Sequence, residues 1–436
     1  MECGVSKQWV RHLLAVGQGN EIAITAPNRK PLNYNGLRIH VDLIGEQLAS
    51  IGLKNSDRVA IVLPNGPEMA TAFLAVASYM SAAPLNPSYK EAEYEFYLED
   101  LKPKLVIVEE NTSNPVVKAA KKLSIPIAKI SVDKDNAAGE FSLFETRKSI
   151  DIPSIEMEAL VLHTSGTTSR PKVVPLTQSN LVASAGNISD TLKLKEADHS
   201  LNIMPLFHIH GLIAVLCASI SAGSSVCCTP GFNALKFFEL ANSQKITWYS
   251  GVPTMHQAIL LRGQRQADVA KALNLRFIRS SSASLPPAVF DELIALFNCP
   301  VIEAYGMTEA THQMTSNPLP PKKQKAGFVG LPAGPEVCIM DVSGNKLVNG
   351  EEGEVCIKGD NVTPGYDKNP EANSQSFTDG WFRTGDQGKF DEDGYLKITG
   401  RLKEIINRGG EKISPLEIDN VLMDHPAIQQ VVSFAV

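Results

Sequence analysis

Between Leu162 and Pro175 the chain reads LHTSGTTSRPKVVP. Thr164, Ser165, Gly166, Thr167 and Thr168 set hydroxyls and a glycine side by side between apolar flanks, with Lys172 close behind. Small residues let backbone N–H groups approach phosphate oxygens, and hydroxyls with an ammonium add donors and charge, so the chemistry on offer is polyphosphate binding. The stretch is not the ordinary P-loop, because Pro171 precedes Lys172 where glycine belongs and Val173 follows where Ser or Thr belongs. Taken alone it reads better as a solvated Ser/Thr-rich turn. Four further stretches in matching order decide against that: PLFHIHG, YGMTE, WFRTGDQGKF and GRLKEIINRGGEKISP.

The elements that must position these residues follow from periodicity. Helical spacing over Val41 to Ile51, Glu68 to Met80 and Glu91 to Leu98 alternates with apolar strands at Arg58 to Leu63 and Lys104 to Val108, while Ala82 to Pro87 reads as a turn. From Leu160 a strand, the hydroxyl loop and a second strand (VVPL) open a new unit. Helices are predicted at Asn180 to Leu192, Gly211 to Ile220 and Leu235 to Asn242, and strands at Ser225 to Cys228, Ile246 to Tyr249 and Leu275 to Arg279. This predicts a second α/β sheet packed on the first. After Gly327 short strands broken by Gly, Asp and Asn (Val337 to Asp341, Gly353 to Lys358, Gly380 to Arg383, Gly388 to Phe390, Tyr395 to Thr399) suggest a small distorted β-barrel. Ser414, Pro415 and Glu417 form a capping-box signature for a helix presenting Ile418, Val421 and Leu422, and a strand is expected over Gln430 to Val436.

The fold class is therefore α/β. A large N-terminal domain spans 1–400, comprising α/β units at 1–158 and 159–326 and a β-barrel unit at 327–400. A small α+β domain begins at 401–436 and reads as incomplete, since so short a piece is below the size that holds its own core.

Composition narrows the function classes. Apolar residues make up 43% of the 436 and charged residues 20%, which excludes disordered and fibrous chains. A net charge of −6 gives no basic footprint, so nucleic acid is not an expected partner. Cys3, Cys217, Cys227, Cys228, Cys299, Cys338 and Cys356 are scattered, odd in number and lack C-x-x-C spacing, which points to reduced core thiols rather than a metal site or disulfide framework. No secretory signal and no apolar run of the ~18 residues a membrane span needs are present, so a soluble cytoplasmic protein is expected. The oligomeric state is not legible.

Taken with the loop, the barrel and the last domain, these motifs resemble the adenylate-forming (ANL) superfamily: acyl-CoA synthetases, coumarate-CoA ligases, luciferases and peptide-synthetase adenylation domains. The resemblance runs from about Leu32 to the end and implies ATP and Mg2+ as requirements, coenzyme A as co-substrate and a small carboxylic acid as partner. It implies that TSGTTSRPK holds the β- and γ-phosphates, that Tyr305 stacks on adenine, that Thr308 binds phosphate and that Glu309 binds Mg2+. Asp386 and Arg401 would hold the ribose, Lys403 would stand at the interdomain hinge, Gly409 and Gly410 would line the pantetheine channel, and His208 would lie beside the acyl pocket. Ser169 and Val173 depart from a pattern in which glycine is common, and Val173 is expected to stiffen the loop.

FHIHG, SSSASL and TEATHQM are similar to the oxalate-CoA ligases of plants and fungi. Ser282, His312 and His208 would present polar donors where long or aromatic acids need apolar walls, which suits a small dicarboxylate. A ligase for another short or aromatic acid such as 4-coumarate is the alternative. The family's C-terminal Pro-x-Thr-x-x-Gly-Lys segment has no counterpart, and loss of its lysine would cost on the order of 10²-fold or more in adenylation. A weakly active ligase or a catalytically inactive nucleotide- and acid-binding fragment is therefore expected, with a peroxisomal address an alternative location for an intact parent.

Overall fold

The computed structural model describes residues 8–133, 135–164, 170–408, 411–423, 425, 428 and 431–434. Ser165, Gly166, Thr167, Thr168, Ser169, Gly409 and Gly410 lie outside the described residues, as do Cys3 and Gln430.

Two sheets carry the large domain. The first has six strands in the order Ile127–Ile130, Leu105–Glu109, Arg58–Val62, Ser81–Pro84, Glu158–His163 and Val173–Thr177. Its strands run parallel until the last pair, Glu158–His163 and Val173–Thr177, which is antiparallel. The second has nine: Leu331–Pro332, His312–Ser316, Val301–Met307, Phe277–Ser280, Trp248–Gly251, His199–Asn202, Ser225–Cys228, Ile22–Thr25 and Leu32–Asn33. Runs such as Val59 to Val62 and Val106 to Val108 are buried throughout, as parallel strands covered on both faces require.

The helix Pro67–Tyr79 starts with proline at its first turn and buries every residue except Glu68. It packs against Glu158–His163 of one sheet and Ser225–Cys228 of the other, so one core cluster spans both. The helix Gln178–Thr191 is fixed by a reciprocal cap, with Asn180 N donating to Thr177 Oγ1 at 3.2 Å and Thr177 N donating to Asn180 Oδ1 at 2.9 Å. The third sheet is antiparallel and curls into a half-barrel: Glu336–Met340, Gly353–Lys358, Trp381–Phe390 and Phe377–Thr378, with Leu396–Arg401 also paired to Trp381–Phe390. No described helix is long and apolar enough to cross a membrane.

Several expectations are corrected. Ala82 to Pro87 is not a turn at its start, since Ser81–Pro84 is a buried strand paired on both sides. The strands flanking the hydroxyl loop do not open the second sheet: they complete the first, while Ile22–Thr25 and Leu32–Asn33 join the second. Both sheets thus draw strands from either side of residue 158. Gly380 to Arg383 and Gly388 to Phe390 belong to one strand, Trp381–Phe390. The helix expected from Gly211 begins as a π-helix over His210–Cys217. The Ser414 hydroxyl donates to Thr399 O and ties the last helix, Pro415–Met423, to the strand before it, in place of capping Glu417. Val421 is exposed, and residues 431–434 form no strand. Five of the six described cysteines are buried and all are unpaired, as expected of reduced core thiols.

Candidate active site

The hydroxyl loop is pinned at its neck. Thr164 N donates to Lys172 O at 2.9 Å, and Lys172 N donates to Thr164 Oγ1 at 3.1 Å. Val173 is the first residue of the following strand, buried and in register with His163. The strand's outer edge is covered: Asp367 N donates to Val173 O at 3.0 Å.

Lys172 extends over the ring of Tyr366, with Nζ 4.3 Å from the centroid. Burial lowers its pKa, Glu309 opposes that, and the nearby charge of Lys403 adds to it. Tyr366 donates to Glu309 Oε1 at 2.8 Å. The Glu309 carboxyl is buried and shifted upward by that burial, while Tyr366, Lys172 and Arg401 pull it back toward the charged form. The structure thus brings Lys172 and Glu309 together across a residue that motif reading missed. The signal was a tyrosine after glycine in TPGY, with nothing in the sequence to say what it touches.

Tyr305 lies in the last half of the strand Val301–Met307, and Thr308–Ala310 follow as one 3-10 turn. Thr311 (φ 49°) and His312 (φ 98°) then take left-handed backbone conformations that non-glycine residues rarely hold. The turn is stapled from outside. Ser184 Oγ donates to Thr311 O at 2.6 Å, and Asn361 Nδ2 donates to Ala310 O at 2.8 Å and Gln313 O at 3.0 Å. Thr363 N donates to Glu309 O at 2.7 Å, so the 361–367 segment sets the position of Glu309 as well as that of Tyr366.

Asp386, in the strand Trp381–Phe390, receives the Tyr305 hydroxyl on Oδ2 and Arg401 Nε on Oδ1, the latter at 2.8 Å. A carboxylate offers about four acceptor sites, so each oxygen retains one for a further donor. Tyr305, Asp386 and Arg401 are thereby brought into one cluster. Lys403 lies just beyond, exposed, in the turn after Arg401.

The histidines on the acid side differ in their surroundings. His208 is exposed at the rim, its ring 4.5 Å from that of Phe207. His210, two residues on, is buried. Its Nδ1 lies 3.0 Å from Ser282 Oγ and its Nε2 2.6 Å from Ser250 Oγ. His312 is 2% exposed, its ring 4.9 Å from that of His210, and its Nδ1 has no partner. Burial first, then the charge of Arg279, holds both rings well below the ordinary histidine range, so both are neutral near pH 7. Ser282 is exposed with φ 72° and meets His210 at the mouth. His210 was visible in FHIHG and Arg279 in RFIRSSSASL, yet neither is marked by sequence as more than its neighbour.

The family described as AMP-binding enzyme matches residues 14–367. The chain is 45% identical to an oxalate–CoA ligase of Arabidopsis thaliana over 95% of this chain and 84% of that one. It is 43% identical to an oxalate–CoA ligase of Saccharomyces cerevisiae over 87% and 75%. Among solved structures, ATP-bound MatB from Rhodopseudomonas palustris superposes with a TM-score of 0.88 at 27% identity, covering 99% of this chain and 86% of that chain. The match over most of its length shows that the chain belongs to the AMP-binding family, as an AMP-forming acid–CoA ligase of the adenylate-forming superfamily.

Proposed function

We propose that this protein activates oxalate, joining it to coenzyme A through an acyl-adenylate. The observation that carries the reading is Ser282 held by the buried, neutral His210, with the buried ring of His312 4.9 Å from that of His210 and its Nδ1 without a partner. The Ser282 hydroxyl and the unpartnered nitrogen of His312 suit a second carboxylate, whereas an aromatic or long-chain acid would leave them unpaired. The relatives named for oxalate support it.

In this reading Asp386, steadied by Tyr305 and Arg401, accepts from the ribose hydroxyls of ATP. Thr164, Ser165, Gly166, Thr167 and Thr168, with Thr308 and Lys172, hold the phosphates, and Tyr305 lies along adenine. Glu309 opposes the lowering of the Lys172 pKa by burial, and Lys172 answers charge developing on the departing pyrophosphate. The substrate carboxylate attacks the α-phosphorus in line. The thiol of coenzyme A, admitted past Gly409 and Gly410, then displaces AMP while Lys403 serves the hinge.

Glu309 suits a hard cation. It is a buried carboxylate with one oxygen steadied by Tyr366, and among the described residues no three His, Cys, Asp or Glu side chains group to hold a metal ion. A cation there would take most of its ligands from phosphate and water, as Mg2+ does, and when bound it would neutralise phosphate charge.

The test is pyrophosphate release with ATP, Mg2+ and coenzyme A over oxalate, malonate, acetate and coumarate, repeated with His312→Ala. Preference for oxalate, weakened in the variant, is the expected result. An unchanged apparent affinity for oxalate in the variant would remove His312 from the acid site, and preference for coumarate would overturn the substrate.

A further inference from the structure

Behind the acid side lies an arginine with no counter-charge. Arg279, in the strand Phe277–Ser280, is wholly buried. Its terminal nitrogens donate only to neutral acceptors, Nη1 to Ser250 Oγ at 3.4 Å and Nη2 to Gln313 Oε1 at 3.2 Å, and Nε has no partner. Gln313 is turned to receive it, since its own amide donates to Ala333 O at 3.0 Å and to Thr191 Oγ1 at 3.2 Å. Among the described residues no carboxylate pairs with Arg279. Glu303 on the next strand is in register with Ser280, so it faces the opposite side of the sheet from Arg279. Burial without compensation lowers the guanidinium to about 9, still charged at neutral pH. Burying an unpaired charge is costly, and a fold that keeps one has a use for it or a ligand to answer it.

The charge of Arg279 orients the chain of hydrogen bonds beside it. A guanidinium donates and never accepts, so Ser250 Oγ accepts from Arg279. Ser250 keeps a second lone pair as well as its one hydrogen, and the orientation that points this hydrogen away from the guanidinium gives it to His210 Nε2, 2.6 Å away. With Nε2 accepting, the neutral imidazole carries its proton on Nδ1 and donates to Ser282 Oγ at 3.0 Å. Ser282, already supplied with a donor, keeps its own hydroxyl hydrogen for whatever sits at the mouth.

We infer that Arg279 is a positioning residue for the acid substrate: it sets the polarity of the chain Ser250, His210, Ser282 so that Ser282 meets the substrate as a donor, and its unneutralised charge favours acids bearing a second negative group over monocarboxylates. This rests on the reading of the site as a small-acid pocket and adds to it a residue that need not touch the substrate.

The experiment compares the wild-type protein with Arg279→Met and Ser250→Ala, reading KM and kcat for oxalate, malonate and acetate with ATP. Calorimetric titration of the same acids gives a readout independent of turnover. Arg279→Met should weaken oxalate and malonate by about 10-fold to about 100-fold, the scale of hydrogen bonds to charged groups, with KM for ATP and the response to acetate unchanged. Ser250→Ala leaves the charge in place and breaks the chain, so it should weaken the dianions by a smaller factor, again sparing acetate. Equal losses for acetate and the dianions, or dianion affinities held within about twofold in Arg279→Met, would overturn the inference. If the wild type takes malonate in place of oxalate, only the choice of oxalate fails and the charge comparison stands. If it takes no dianion, both fail.

Discussion

The Tyr366 hydroxyl donates to Glu309 Oε1 at 2.8 Å, and the face of the same ring supports Lys172 at 4.3 Å. One side chain therefore spaces the two opposite charges of the candidate phosphate site and stops them from collapsing into a direct ion pair. Tyr366→Phe keeps the ring and removes the donor that lowers the Glu309 pKa. That carboxyl should then titrate still higher, raising the Mg2+ concentration for half-maximal pyrophosphate release about 10-fold and moving the acidic limb of the pH profile upward. A magnesium titration at two pH values reads both effects. An unchanged midpoint would show that Tyr366 does not tune Glu309.

Asp386 already receives Tyr305 and Arg401 on separate oxygens. Asp386→Asn replaces one acceptor oxygen with an NH2 group that faces one of those donors, so the ribose contact and the cluster are lost together. KM for ATP should rise by about 10-fold to about 100-fold with KM for the acid unchanged. Parallel rises in both constants would mean that the cluster supports the fold and not the nucleotide.

Gly306 lets two strands approach at the bulge before the strained turn. A Cβ there would stand 2.0 Å from His312 O, a backbone atom that cannot step aside. Gly306→Ala should cost on the order of 3 kcal/mol in urea unfolding and displace His312. Gly186, in the helix Gln178–Thr191, is the control. Nothing lies within 4 Å of an added Cβ, so Gly186→Ala should stabilise by about 1 kcal/mol or less.

Glu303 gives the fold a pH dependence of known sign. It is 1% exposed, accepts from Leu285 N at 3.1 Å on one oxygen and leaves the other unpartnered, and burial pushes its carboxyl up to about 8. The folded form holds the proton more tightly than the unfolded chain, whose value is 4.5. Its contribution is therefore complete below that value and is lost as pH rises toward and through 8, at roughly 1.4 kcal/mol per pH unit within the window. Glu303→Gln keeps an acceptor for Leu285 and cannot ionise, so it should exceed the wild type in stability at pH 9 and match it near pH 5. Identical urea midpoints at pH 9 would contradict the shift.

Sequence periodicity located elements well wherever local pattern decides the outcome. Arg58–Val62 and Leu105–Glu109 are apolar runs between breakers, and the antiparallel pair around the hydroxyl loop followed from its two flanks. Pairing partners are a different matter. Nothing local tells Ile22–Thr25 that it belongs beside Ser225–Cys228, and the small residues of Ser81–Pro84 look like a turn because alanine, serine and proline carry no β signature. In the site, Tyr305 and Asp386 were legible because their motifs are long. His210, two residues after His208, carries no mark in the sequence of the two serines it meets, because they come from distant parts of the chain. Arg279 gave one overlooked sign: a charge at an inward position of a central strand, where a side chain is either compensated or employed.

Val226 pairs with Ile24, about two hundred residues earlier in the chain. During synthesis the first strand of the nine-stranded sheet must wait beside its short antiparallel neighbour until most of the domain has left the ribosome. Completion of this core is therefore tied to translation of its middle, and nascent chains paused before residue 225 would expose a sticky edge that chaperones must guard.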